Sequence, residues 1–216
     1  MSEILIISAH PDDMEIGMGG TAAMLAAKGA RITSLILTDG RRSPNPFAFR
    51  PDEMSRIRRK EAETAREILG ISQLISFDLA DLKSAQNIEK ASSGLRKFLI
   101  ETLPSEIYTL HPEWDRHPTH RASAKILMDL LQSLSDLQAT VWAYEVWGLF
   151  PRWDRFEDIS NVISRKIASV QAHKSQIAVV PYTEGILGLN RWRAVFADPA
   201  QIDNKATFAE VFVRLQ

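Results

Sequence analysis

The chain contains no cysteine. That absence excludes structural disulfides, thiolate metal sites and a thiol nucleophile, so any metal ion has to be held by histidine, aspartate or glutamate. Charge of one dominant sign is missing as well: 26 Lys and Arg stand against 27 Asp and Glu, mixed along the chain. Such a balance carries no electrostatic footprint for nucleic acid or an anionic membrane. The one basic run, Arg56, Arg58, Arg59 and Lys60, interleaves with Glu61, Glu63 and Glu67 and reads as a solvated helix face. Long hydrophobic runs are also lacking. Ile4 to Ile7 is far shorter than a signal-peptide core and nothing approaches membrane-spanning length, so a soluble, cytoplasmic protein is expected. No stretch is polar or Pro/Gly-rich enough for a linker, and residues 1–216 are expected to form a single domain.

What is present is an alternation of apolar segments with helical periodicities. Ile4 to Ser8 reads as a buried strand, and Gly19-Gly20-Thr21 leads into an alanine-rich helix stopped by Gly29. Ile32 to Leu37 is the next strand. Pro44 and Pro46 mark a loop, after which Ala62, Ala65 and Leu69 share a helical face that ends at Gly70. Leu74 to Phe77 is a third strand, and Ile88, Ala91, Leu95, Phe98 and Leu99 recur at helical spacing. Pro104 separates that helix from a strand over Glu106 to Leu110; Leu127, Leu130, Leu131 and Leu134 mark another helix. Val141 to Trp147 begins like a strand, a helix is expected over Ile159 to Ala172, and Phe208 to Val213 alternates as a last strand. Strand and helix alternating up to residue 135 predict a Rossmann-like α/β fold, a largely parallel doubly wound sheet with helices on both faces. Ligands of such sheets bind outside the carboxyl ends of the strands.

Four of the five histidines fall in two segments placed at such ends. Ala9-His10-Pro11-Asp12-Asp13-Met14-Glu15 follows the first strand, and His111 to His120 follows the strand ending at Leu110. Imidazole nitrogen with carboxylate oxygen suits zinc and its divalent neighbours, whereas an all-oxygen set would suit magnesium or calcium. With three protein ligands a coordination position stays open, and water there has its pKa lowered from about 15.7 to about 7, which points to hydrolysis of an amide or ester. Asp12 and Asp13 serve two jobs only if their side chains diverge; the alternative is a pair that caps the helix beginning near Gly17. His111 and His117 extend the argument, a second imidazole being suited to stabilise an oxyanion or protonate a leaving amine.

At these residues the sequence resembles the PIG-L/LmbE-like family of zinc-dependent N-acetylglucosamine deacetylases, which includes enzymes of the bacillithiol and mycothiol pathways. The signature Ala-His-Pro-Asp-Asp-x-Glu is complete at 9 to 15, and Gly17, Gly19 and Gly20 continue as in the bacillithiol branch. Further likeness lies in Arg58-x-x-Glu61-Ala62, His117-Pro118-x-His120, Tyr144-Glu145-x-Trp147, Ser175-Gln176, Leu189-Asn190-Arg191 and Phe208-Ala209-Glu210-x-Phe212. The resemblance implies one zinc ion, or another divalent transition metal, held by His10, Asp13 and His120. It further implies Asp12 as general base, His117 as the oxyanion-stabilising or acid imidazole, Arg58 as a substrate contact and Glu15 as a support of the first loop. The implied substrate is a small N-acetylated sugar and the implied assembly a homo-oligomer. Alternatives are an amidase on a non-sugar amide or thiol conjugate, and a weakly active metal- or carbohydrate-binding homologue.

One position departs from the family pattern. Thr119 stands where the family often has Asp, and a threonine brings no charge to raise an imidazole pKa. His117 is therefore expected to be less often protonated at neutral pH, unless Asp115 takes over. Tyr144, Glu145 and Trp147 read as core or pocket, and Asn190, Arg191 and Arg193 as substrate or surface contacts. Gly17-x-Gly19-Gly20 lacks the full dinucleotide-loop pattern. Loops 40–52 and 146–158 are expected to wall the pocket.

Overall fold

The apolar segments pair as their alternation with helices predicts. In the computed structural model, which describes residues 2–196 and 205–216, β1 (Glu3–Ser8), β2 (Arg31–Thr38), β3 (Gln73–Leu79), β4 (Glu106–Leu110) and β5 (Thr140–Tyr144) are mutually parallel. Two further strands follow at the β5 edge: β7 (Ala209–Arg214) pairs antiparallel with β5, and β6 (Arg155–Asp158) antiparallel with β7, giving the order β3-β2-β1-β4-β5-β7-β6. Residues of β1 alternate between two cores. Leu5 and Ile7 pack with Leu95, Leu99 and Leu127 on one face, while Ile4 and Ile6 pack with Met14, Met18 and Ala22 on the other. Burial on both faces is why this strand is an unbroken apolar run.

The first helix, α1 (Asp13–Ala27), begins well before the expected start after Gly20. Its glycines are not breakers; they permit close approach. A Cβ at Gly17 would collide with the Tyr144 ring and the Glu145 carbonyl, and one at Gly20 would lie 2.7 Å from Ile159. The helix kinks at Met18 (φ −142°), which frees the next backbone N–H groups. Gly20 N and Thr21 N donate to Glu210 Oε1 (2.9 Å) and Oε2 (2.7 Å), and Lys166 Nζ completes a fully buried ion pair with Glu210 at 2.7 Å.

The other helices are α2 (Pro51–Leu69), α3 (Ala85–Thr102), α4 (Pro118–Ser133), α5 (Ile163–Gln171), α6 (Lys174–Ile177) and α7 (Tyr182–Phe196). Pro51 opens α2 and Gly70, at φ 76°, closes it, as the glycine signal indicates. The expected helix over Ile159 to Ala172 is shorter, a 3₁₀ turn at Ser160–Val162 preceding α5. Among the described residues no helix is long and apolar enough to cross a membrane. Because β1 and β4 are neighbours, their carboxyl ends bring Ala9–Glu15 and His111–His120 side by side.

Candidate metal centre and catalytic pocket

Asp12 and Asp13 point in different directions, and the backbone is what separates them. Asp12 has φ 134° and ψ −20°, a conformation that L residues rarely adopt and that costs on the order of 1–3 kcal/mol. Its carboxylate turns to Arg58, with Oδ2 2.9 Å from Nη2. It makes no capping bond to α1, so the helix-capping reading of the Asp pair does not hold. Asp13 is drawn instead into the loop, where Oδ2 accepts from Ala9 N (2.9 Å) and His10 N (2.8 Å). Its Oδ1 lies 3.1 Å from His120 Nε2.

The remaining donor joins them. His10 Nδ1 is 3.0 Å from His120 Nε2 and 3.7 Å from Asp13 Oδ2. Ligand atoms of a tetrahedral ion with bonds near 2.05 Å stand roughly 3.3 Å apart, so these three side chains have the spacing of one coordination sphere. His117 belongs to the same cluster: donor atoms of His10, His117 and His120 all lie within 4.8 Å of one another. The fit extends outward, because Asp115 Oδ2 accepts from His120 Nδ1 at 3.0 Å and leaves Nε2 to face the cluster.

Electrostatics agree with a cation-seeking site. Burial works against a charged His120, yet Asp13 and Asp115 overcome it and push its pKa up to about 10. Asp13 is held well below the usual carboxylate range, the His120 and His10 imidazoles outweighing burial. Asp12 moves the other way: burial, reinforced by Asp13, raises its pKa despite Arg58.

His117 is the N-cap of α4, its Nδ1 accepting from Thr119 N at 3.3 Å. Burial, then the neighbouring imidazoles, lower its pKa to about 4. Asp115 does not take over as its ring partner; that carboxylate is used by His120 and by His117's backbone N–H at 2.8 Å. Thr119 lines the pocket beside it.

Arg58 is 2 % exposed and lines the same cavity. Besides Asp12, it donates to the Pro11 carbonyl and Ser43 Oγ. Its neighbour one turn on, Glu61, accepts from Ser175 N and Oγ (both 2.7 Å), which ties α2 to α6 and places Gln176 at the pocket wall.

Several other residues turn out to be structural. His111 stacks on Trp114 (4.2 Å, 3° between planes), and its Nδ1 accepts from Glu113 N and Trp114 N, so it caps a turn outside the cluster. Tyr144 donates to the Ile7 carbonyl at 2.9 Å within the core. Glu145 pairs with buried Arg193, Asn190 Nδ2 donates to the Ala209 carbonyl, and Arg191 Nη1 to the Thr207 carbonyl. Glu15 faces the fifth histidine, His173, at 3.6 Å. Both are buried, and neither ring nitrogen of His173 has a hydrogen-bond partner among the described residues.

The cavity above the cluster measures about 320 Å³. Gly40, Arg42, Ser43, Pro44 and Trp147 wall it, as expected from loops 40–52 and 146–158. Asp81, Lys83, Val180 and Tyr182 line it too, and nothing in their sequence context marks them. Burial and nearby Asp12 raise the Tyr182 phenol pKa, which places that side chain within the field of the site.

Residues 5–131 match the family model described as PIG-L: GlcNAc-PI de-N-acetylase. The chain belongs to this family. Among PIG-L relatives, an Escherichia coli K12 protein named as an uncharacterized deacetylase, YaiS, is 28 % identical over 178 residues, 80 % of this chain and 90 % of that one. A probable N-acetyl-α-D-glucosaminyl L-malate deacetylase 2 of Bacillus cereus is 26 % identical over 183 residues, 80 % and 83 % of the two chains. The fold is also that of N,N'-diacetylchitobiose deacetylase from Pyrococcus horikoshii, with a TM-score of 0.82 at 22 % identity, covering 99 % of this chain and 84 % of that one.

Proposed function

We propose that this PIG-L chain is a metal-dependent N-deacetylase that hydrolyses the acetamide of a glucosamine-containing small molecule. The reading rests on one observation: His10 Nδ1, Asp13 and His120 Nε2 converge at 3.0 to 3.7 Å while Asp12, next in the chain, is turned away from them. Two imidazoles and a carboxylate, with Asp115 behind His120, suit zinc. A zinc ion held by His10, Asp13 and His120 would supply Lewis acidity to the amide carbonyl and to water.

The protein's own groups then divide the proton work. Asp12 is the base, its affinity for a proton raised by burial, and Arg58 holds Oδ2 so that Oδ1 is the oxygen left for water. Because His117 Nδ1 accepts from Thr119 N, its neutral ring carries hydrogen on Nε2. With a pKa near 4 that ring acts as a hydrogen-bond donor to the developing oxyanion, not as an imidazolium acid. The proton gathered by Asp12 passes to the leaving nitrogen as the C–N bond breaks. Arg58, expected to meet substrate, serves here chiefly by fixing Asp12 and secondarily as cavity wall.

The names of the Bacillus cereus and Pyrococcus horikoshii proteins support an N-acetylated sugar as substrate. Polar wall residues Ser43, Asp81, Lys83 and Gln176 suit a hydroxyl-rich ring. Arg41 pairs with Asp39, while Arg42 and Lys83 line the cavity and offer cationic groups to an acidic aglycone. Metal analysis of the purified protein, followed by acetate release from N-acetylglucosaminides that differ only at the anomeric position, tests the reading. A metal-loaded protein that releases acetate from none of them overturns it.

A further inference from the structure

Beside the catalytic pocket lies a second, larger cavity of about 490 Å³, within the size range of small-molecule sites. The two share Ile16, Trp147, Val180 and Tyr182 in their walls. Trp147 and Tyr182 meet edge to face, ring centroids 6.2 Å apart, at that boundary.

The cavities differ in chemistry, and His10, Asp13 and His117 of the metal cluster line the first but not the second. The polar wall of the first comes from residues after β2 and β3, Arg42, Ser43, Asp81 and Lys83, on one side of the β1–β4 pair. The second is built by the segment after β5, by the first half of α7 and by β7, on the other side. Leu149, Ile186, Leu189 and Val211 make its lining largely apolar. The two deep carboxylates there are already neutralised, Glu145 by Arg193 and Glu210 by Lys166, while Glu184 is exposed.

A secondary amide is trans, so its two substituents leave in opposite directions. With the scissile amide over the cluster and the hydroxyl-rich ring on the polar side, the acyl substituent points toward Trp147 and Tyr182, and an acetyl group is too short to use what lies behind them. We propose that the second cavity is an acyl-chain subsite, and that the protein hydrolyses N-acylglucosamines whose linear acyl group is longer than acetyl. The reaction is unchanged in kind: the oxygen of water bonds to the acyl carbon, the C–N bond breaks, and a fatty acid and the free amine result. The inference rests on the deacetylase reading for its chemistry, and on the cavity alone for its specificity.

Amine release is measured for the metal-loaded enzyme with N-acetyl-, N-butyryl-, N-hexanoyl- and N-octanoylglucosamine, alongside hexyl N-acetylglucosaminide. Wild type is expected to gain at least tenfold in kcat/KM from acetyl to hexanoyl, since each buried methylene favours binding several-fold. Leu189→Trp, which fills the cavity from a partly exposed position, is expected to lower the hexanoyl-to-acetyl ratio by tenfold or more. A steady fall in kcat/KM with each added methylene overturns the proposal. So does a gain confined to the hexyl glycoside, which assigns the cavity to the aglycone. A second arm needs no turnover: calorimetric titration of Asp12→Asn protein with N-acetyl- and N-hexanoylglucosamine is expected to show the hexanoyl sugar binding at least tenfold tighter, and equal affinities overturn the subsite. Should wild type release amine from no N-acyl sugar while the titration still favours hexanoyl, the deacetylase reading fails and the subsite stands.

Discussion

Asp115 Oδ2 accepts a 3.0 Å hydrogen bond from His120 Nδ1, and both side chains are buried. The bond fixes the tautomer that presents Nε2 to Asp13 and His10. Carboxylate partners of this kind typically contribute 10–100-fold to metal affinity. Asp115→Asn is therefore expected to weaken zinc binding by about that factor, read by competition with a chromogenic chelator. Unchanged affinity would remove Asp115 from the centre.

The same contacts give the metal-free protein a pH signature. The folded pKa of His120, about 10, lies above its ordinary value of 6.5, with burial opposing the rise and Asp13 and Asp115 producing it. A raised imidazole pKa stabilises the fold fully below 6.5 and loses that contribution as pH climbs through 10. Chelator-treated protein should thus lose urea resistance between these limits. Zinc has to displace that proton, so binding at pH 7 should release about one proton per ion, seen as a buffer-dependent enthalpy in calorimetry.

Asp12 and His120 are predicted to fail differently. Asp12→Asn keeps the shape but not the basicity, and should lower kcat for acetate release by roughly 10²–10⁴-fold with zinc content retained. His120→Ala should lose the zinc itself. Full activity in the first variant sinks the assignment of the base.

Arg58→Ala leaves Asp12 buried without its partner. Breaking a buried pair from one side costs about 3–5 kcal/mol, and here part of that is recovered by protonation of Asp12. A lower melting temperature together with a loss of kcat that raising the pH partly restores is the expected pattern. A normal melting temperature would show that the guanidinium is dispensable to the loop.

Lys166→Met is predicted to destabilise by about 3–5 kcal/mol, because it removes one partner of a fully buried ion pair and leaves Glu210, held by Gly20 N and Thr21 N, without its cation. The double variant with Glu210→Gln should recover part of the loss. Urea titration monitored by tryptophan fluorescence reads both.

The parallel half of the sheet was legible because β1 to β5 are buried apolar runs separated by helical periodicities with proline and glycine stops. Glu106–Leu110 matches its expected bounds, and the other four strands shift by a few residues at their ends. The start of α1 was not legible, since Gly17 and Gly20 look like breakers until Tyr144 and Ile159 are seen against them. Strand β6 and helix α7 escaped for related reasons: Arg155–Asp158 is short and polar, and Gly185, Gly188 and Asn190 lower the helical signal of α7. That the two histidine-bearing segments meet was legible from two strand ends, whereas the choice of His10, Asp13 and His120 within them came from the family resemblance, since placement alone leaves His111 and His117 equally eligible. Tyr182 at the pocket wall and His173 opposite Glu15 were not legible, because each is placed by packing of the last third of the chain, which no local pattern encodes.

Glu210 lies 190 residues beyond the backbone amide it caps in the kinked first helix. The helix behind Asp12 and Asp13 is thus clasped by a side chain synthesised long after it. A nascent chain therefore carries the acidic pair through 190 further residues of synthesis beyond Gly20 before the helix behind it can be clasped.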